Sequence, residues 1–215
     1  SESVAHARKN ETDEILAFAT SAIRDSKNGT AIIAEISQKH GIELEILEGD
    51  EEAKMTFLAV RRWLGWSAGK LLVLDIGGGS LEIATGIDEN PEATLSLPLG
   101  AARLTREFLN GDPYSSKSIE LLGNHVEQIL TKNLPKTLKS HDANHFVATS
   151  KTFRTLARIT ANWFGDNPKF LEKDSLEKAI PRLAEMTDKS RADLPGVSTS
   201  RARQIVAGAV VAYSV

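Results

Sequence analysis

The chain has no cysteine among its 215 residues. That excludes disulfide scaffolds and thiolate metal sites, and it fits a cytoplasmic protein without demanding one. No apolar run approaches the ~20 residues that would cross a bilayer, so no membrane span is read. No basic segment followed by an apolar one opens the chain, so no secretory signal is read either. Charge of one sign is also scarce: 26 Lys and Arg stand against 29 Asp and Glu, a formal net charge of −3. A basic nucleic-acid footprint is therefore missing. Any anionic ligand must be held locally, by a few arginines, by backbone amides or by a metal. Repeats and low-complexity segments are absent as well.

What remains is ordinary globular composition, 41% hydrophobic and 26% charged, at a length for one large domain or two small ones. Apolar patterning predicts strands at residues 14–20, 43–47, 70–75, 81–86, 93–97 and 145–149. Helices are expected at 30–40, 51–64, 100–109, 116–134, 151–164, 175–186 and 198–213. Gly41 stops the first helix and Asp50 caps the second. Met55, Phe57, Leu58 and Trp63 give that second helix apolar surface. From residue 70 the order is three strands, two helices, a strand and a helix, the layout of a ribonuclease-H-like α/β domain. The preceding strand-helix-strand-helix segment is α/β structure too short for a whole domain. The hinge is expected at Trp66-Ser-Ala-Gly69, dividing the chain into residues 1–66 and 67–215.

The stretch KLLVLDIGGGSLEIATG (residues 70–86) is the most informative. An apolar strand ends in Asp75, three glycines and Ser80 follow, and Glu82 comes two residues later on the next strand. Ligands of α/β sheets sit at the carboxyl ends of strands. Glycines allow close backbone approach, and successive N–H groups can form a concave anion nest. Gly77, Gly78, Gly79 and Ser80 can therefore hold a phosphate while Asp75 and Glu82 gather a hard cation or position water. Mg²⁺ suits such a site, because it prefers oxygen ligands and retains several waters. The plain alternative is a tight hairpin whose glycines only permit the turn. The pattern is neither a Walker loop nor a dinucleotide fingerprint, because a strand, not a helix, follows the glycines.

DIGGGSLE (75–82) resembles the second phosphate motif of the exopolyphosphatase/guanosine-pentaphosphatase (Ppx/GppA) family, within the actin/Hsp70/sugar-kinase superfamily. ATSAIRDSKN (19–28), ILEGDEEAKMTFLAV (46–60), SLPLGAARLTREF (96–108), ATSKTFRTLARIT (148–160) and LPGVSTSRARQIVAGAVVA (194–212) agree with that family in order. RRWLGWSAGK (61–70) looks most like its actinobacterial branch. The resemblance implies an actin-like ATPase fold: the end of one such domain, then a second. It implies Mg²⁺-dependent hydrolysis of terminal phosphoanhydrides of inorganic polyphosphate or guanosine pentaphosphate in the cytoplasm. Guanosine tetraphosphate, the stringent response and a homodimer also fit the family. Polyphosphate binding without turnover and phosphoryl transfer to an acceptor are the competing functions.

The resemblance makes Glu52 the catalytic carboxylate that orients the attacking water. Read without it, Glu52 is a first-turn glutamate complementing a helix dipole. It also makes Arg24 a phosphate contact, for which a planar guanidinium is suited, against a surface pair with Asp25. Thr149 and Ser150 lie between a strand and a helix and can bind an anion or simply cap the helix. Arg201 matches a substrate-facing position in relatives, against a solvated helix arginine. Asn28 is read as a turn residue. His141 and His145 are read as surface residues rather than a metal pair, and Trp63 and Trp66 as a helix-end plug. Two departures stand out: Leu81 where many members have Thr, and ATSKT in place of G-T-S-G-T, which brings Lys151 to the second turn. The family's first phosphate loop has no counterpart here, and its second domain closes with a further strand. The chain is thus expected to be an internal piece of a longer protein, with weak or no hydrolysis by itself.

Overall fold

The computed structural model describes residues 2–10, 12–139 and 142–215. The first third comprises α1 (Glu2–Lys9), β1 (Ala17–Ala19), α2 (Ser21–Arg24), α3 (Gly29–His40), β2 (Leu44–Ile46) and α4 (Gly49–Leu64). β1 and β2 pair in parallel, joined through α3. Gly41 ends α3 with φ +62°, the left-handed cap expected of it. α4 begins earlier than its sequence suggests. Its N-cap is Glu48, not Asp50, and the Glu51 carboxylate accepts the Glu48 N–H at 3.0 Å. A reciprocal box of this kind satisfies an orphan amide better than the Asp side chain two residues further on.

A 3₁₀ turn (Trp66–Ala68) leads to β3 (Leu71–Ile76), β4 (Leu81–Gly86) and β5 (Ala93–Leu97). Next come α5 (Ala101–Phe108), α6 (Ser116–Asn133), α7 (Lys136–Lys139), β6 (His145–Ala148) and α8 (Ser150–Phe164). α9 (Lys173–Glu185), α10 (Asp188–Ala192), a second 3₁₀ turn (Thr199–Arg201) and α11 (Ile205–Ser214) complete the fold. The expected single helix over 198–213 is thus broken into a 3₁₀ turn and α11. Sheet order is β5-β4-β3-β6, with β3–β4 and β4–β5 antiparallel and β3–β6 parallel. Among the described residues no helix is long and apolar enough to cross a membrane.

The period-two alternation of strands decides what each face of this sheet does. Leu72, Leu74, Ile76, Leu81 and Ile83 face the main core, which also holds Leu104, Leu122, Leu156, Ile159, Leu183 and Val211. Leu71, Val73 and Ala84 face the other way, onto Phe57 and Val60 of α4. Asp75 shares parity with Leu71 and Val73, and Glu82 with Ala84, so both carboxylates emerge on the face that α4 covers. Arg61 fixes α4 there. Its guanidinium is buried, donates to the carbonyls of Gly65, Gly69 and Gly86, and stacks 5.9 Å over Phe57.

One packing expectation fails. Trp63 and Trp66 are 88% and 64% exposed, so they plug nothing, and Met55 is 47% exposed. Trp63 lies in the last turn of α4 and Trp66 in the 3₁₀ turn that follows it. His145 opens β6 and is exposed, while His141 lies outside the described residues.

Candidate functional site

β3 and β4 are registered so that Asp75 stands directly opposite Glu82. With both on the α4 face, the N-terminus of α4 delivers Glu52 to the same region. The three carboxylates feel one another: Asp75 acts on Glu52, and both act on Glu82. Burial pushes Glu82 up to about 7, further raised by Glu52 and Asp75. Ser96 donates to its Oε1 at 3.0 Å, while the buried Ser80 hydroxyl beside it makes no hydrogen bond of good geometry. Burial raises Asp75 as well, opposed by the Thr149 hydroxyl, which donates to Oδ2 at 2.7 Å. Glu52 is raised by burial and pulled back by Arg24. Its Oε2 is buried without a hydrogen bond, the Arg24 Nη1 lying 3.8 Å away.

Arg24 ends α2. It donates to the Leu47 carbonyl at 2.5 Å and lies 3.5 Å from Asp25. The surface pair with Asp25 and the approach to Glu52 therefore coexist in one side chain. Asn28, by contrast, precedes α3 as its N-cap and makes no side-chain cap bond, in keeping with a turn role.

The glycine turn owes its shape to the start of α5. The N–H groups of Ala101 and Ala102 donate to the carbonyls of Gly77 and Gly78, and that of Arg103 also donates to Gly78, all at 2.9–3.0 Å. A trans peptide points its N–H opposite its carbonyl. Drawing the Gly77 and Gly78 carbonyls onto α5 therefore turns the Gly78 and Gly79 amides away from it. The turn is closed by Gly77 N–H donating to the Ser80 carbonyl at 2.9 Å. It is not a sealed hairpin, because Gly78 is exposed. Gly77 sits beside Glu82, a Cβ there lying 3.9 Å from Oε2. Gly79 approaches Ser21 so closely that a Cβ would meet its Oγ at 2.6 Å.

The second turn faces the first. A cleft of 330 Å³ is lined by Gly77, Gly78, Ser150, Lys151, Ser200, Arg201 and Gln204, among others. Thr149 is the N-cap of α8 and Ser150 takes φ +68°. The Phe153 N–H reaches the Ser150 Oγ at 3.5 Å, too long to be the cap that the sequence allows. Arg201 comes from the 3₁₀ turn rather than from an α-helix, which aims it across the cleft mouth.

Of the residues singled out from the sequence, Gly77, Gly78, Ser150 and Arg201 line this cleft, Thr149 bonds Asp75, and Arg24 and Glu52 approach each other on the α4 side without lining it. Sequence reasoning missed Ser96, Gln204 and Gly49. Gly49 carried a signal: it heads the Glu-rich start of α4, where a Cβ would come within 2.4 Å of Ser96.

Metal fit can be judged from the donors. Among the described residues no three His, Cys, Asp or Glu side chains form a cage. Asp75 and Glu82 are nonetheless two adjacent carboxylates, destabilised as anions, and among the described residues no cationic side chain forms an ion pair with them. That donor set fits a hard cation completing its shell with water or substrate oxygen.

Comparison with known proteins agrees with this architecture. The model of the Ppx/GppA phosphatase family matches residues 2–215. A Mycobacterium tuberculosis protein named Exopolyphosphatase 1 is 48% identical over 203 residues, covering 93% of this chain and 59% of that protein. The chain therefore spans about three-fifths of that relative's length. The crystal structure of the Aquifex aeolicus family member superposes with a TM-score of 0.77 at 25% identity, over 99% of this chain and 69% of that one. An exopolyphosphatase from Cytophaga hutchinsonii reaches 0.83 at 22% identity, over 99% and 70%, a likeness of fold. With a family match spanning nearly every residue and an actin-like fold beneath it, the chain belongs to the Ppx/GppA phosphatase family.

Proposed function

We propose that the protein hydrolyses terminal phosphoanhydride bonds of inorganic polyphosphate, with guanosine pentaphosphate as an alternative substrate of the same chemistry. The supporting observation is the nearness of one buried carboxylate, Glu82, to two half-buried ones, Asp75 and Glu52, at the end of the sheet that carries the glycine turn and the cleft with Lys151 and Arg201. Phosphoryl transfer asks for positioning and charge stabilisation more than for covalent chemistry. The Gly78 and Gly79 amides receive oxygens of the terminal phosphate. Lys151 and Arg201 face the following phosphates, and Arg24 faces the reacting group from the opposite side.

Glu52 orients the attacking water and accepts its proton. A carboxylate raised by burial is a stronger base than one in water, and Arg24 opposes that rise. Mg²⁺ held by Asp75 and Glu82 would supply positive charge to the phosphoryl oxygens. The test is orthophosphate release by the full-length protein. Glu52→Gln is expected to lower turnover by at least about 100-fold while binding of polyphosphate persists. Wild-type-like release by that variant would reject Glu52 as the base.

A further inference from the structure

Arg103 belongs to no phosphate-handling element assigned above, yet its side chain ties the site together. It projects from the first turn of α5 and is partly buried. Its Nε donates to the Gly79 carbonyl at 2.8 Å. Its Nη2 pairs with the Asp25 carboxylate. Asp25 in turn lies 3.5 Å from Arg24, whose other end is 3.8 Å from Glu52. A row of alternating charges, Arg103–Asp25–Arg24–Glu52, therefore joins the glycine turn to the candidate base.

The Gly79 contact matters for the amides. The Gly77 and Gly78 carbonyls are held by the backbone of α5, but the Gly79 carbonyl is held by the Arg103 side chain. By trans-peptide geometry this fixes the Ser80 N–H in the direction opposite to the Gly79 carbonyl. We propose that Arg103 is a positioning residue, orienting the Ser80 amide through Gly79 and Arg24 through Asp25. The inference rests on the hydrolytic reading above. It also explains why one residue needs a planar guanidinium: two donors in one rigid fork serve a carbonyl and a carboxylate together, which an ammonium cannot match.

The Arg103 and Asp25 side chains are 25% and 39% exposed, so the pair contributes little to folding. Loss of Arg103 should therefore act on activity more than on stability. In the full-length protein, Arg103→Ala is expected to lower kcat about 10- to 100-fold and to weaken calorimetric binding of inorganic polyphosphate several-fold. Its melting temperature should stay within a few degrees of wild type. Arg103→Lys should recover part of the loss. Asp25→Asn should cost less than Arg103→Ala, and the double variant no more than about twofold beyond Arg103→Ala, as members of one network behave.

Wild-type kcat and affinity in Arg103→Ala would overturn the inference. So would independent, multiplicative losses in the double variant. A large fall in melting temperature that tracks the loss of activity, with no recovery by Lys, would assign Arg103 to packing instead. The underlying reading fails separately: it falls if Glu52→Gln keeps wild-type turnover while Arg103→Ala loses it. A wild-type protein that neither binds nor cleaves polyphosphate would reject both.

Discussion

The two turns at the carboxyl end of β3 and β6 face one cleft but are built on opposite plans. The turn between β3 and β4 carries no charged side chain of its own over residues 77–80. Its outward polar groups are amides, aimed by hydrogen bonds from α5 to the carbonyls behind them. The turn between β6 and α8 keeps ordinary side chains, forces Ser150 into a left-handed conformation and places Lys151 at the cleft. Backbone amides are fixed in direction and lose nothing by ordering when a ligand arrives. A lysine supplies a full charge but must be immobilised, and its pull weakens in salt. In the proposed hydrolysis the first plan suits the reacting phosphate, where geometry decides rate. The second suits phosphates further along the chain, where charge decides affinity.

The comparison breaks first at Gly100. A Cβ on Gly100 would lie 2.3 Å from the Gly79 carbonyl carbon and from the Ser80 nitrogen. Neither is the end of a flexible side chain, so α5 or the glycine turn must shift bodily. Gly100→Ala is expected to cost about 1–3 kcal/mol as overpacking, several degrees in melting temperature. Turnover should fall about 100-fold or more, since the amides lose their aim. Phosphate release and thermal melts measured side by side check this. Unchanged turnover would show that the amides do not set the rate.

Next in size is the carboxylate beneath the first turn. Glu82 titrates at about 7 in the fold against 4.5 ordinarily. The folded state thus holds this proton more tightly than the unfolded chain. The stability it contributes is complete below pH 4.5 and is lost as pH rises towards 7, an effect of the order of 3 kcal/mol. Glu82→Gln resembles the protonated form at every pH. It should flatten the pH dependence of melting between pH 5 and 8 and melt several degrees above wild type at pH 8. It should also lose turnover by more than about tenfold. Added Mg²⁺ should raise the melting temperature of wild type at pH 8 and leave Glu82→Gln unmoved. A variant less stable than wild type at pH 8 would contradict the burial argument.

How far the sequence reveals these features depends on where each signal resides. β4 and β5 fall where apolar patterning and glycine punctuation predict, because both signals are local. The carboxylates at Asp75 and Glu82 are legible for the same reason: strand parity is a property of spacing. α2 and α10 are too short to carry a period, and the 3₁₀ break at 199–201 interrupts a segment whose composition is helical throughout. Trp63 and Trp66 mislead because size and apolarity do not say which way a helix end points. Arg103 is illegible for another reason. Its partners are a carbonyl 24 residues before it and a carboxylate 78 before it, and no local pattern records the orientation of a peptide plane.

The smallest expected effect separates the turns by strain alone. Ser150 is the sole non-glycine residue with positive φ among the described residues, at +68°. An L-residue there costs about 1–2 kcal/mol relative to the right-handed region. Glycine removes that cost but loses about 0.5–1 kcal/mol more entropy on folding. Ser150→Gly is therefore expected to stabilise by up to about 1 kcal/mol, or about 2–4 °C in melting temperature for a chain of this size. The lost Oγ contact to Phe153 N–H, at 3.5 Å, is too long to offset the gain. Turnover should fall only a few-fold, because Lys151 remains at the cleft. A melting temperature below wild type would mean that the Ser150 hydroxyl caps α8 in solution. A loss of turnover as large as that of Gly100→Ala would mean that both turns, not one, aim the reacting phosphate.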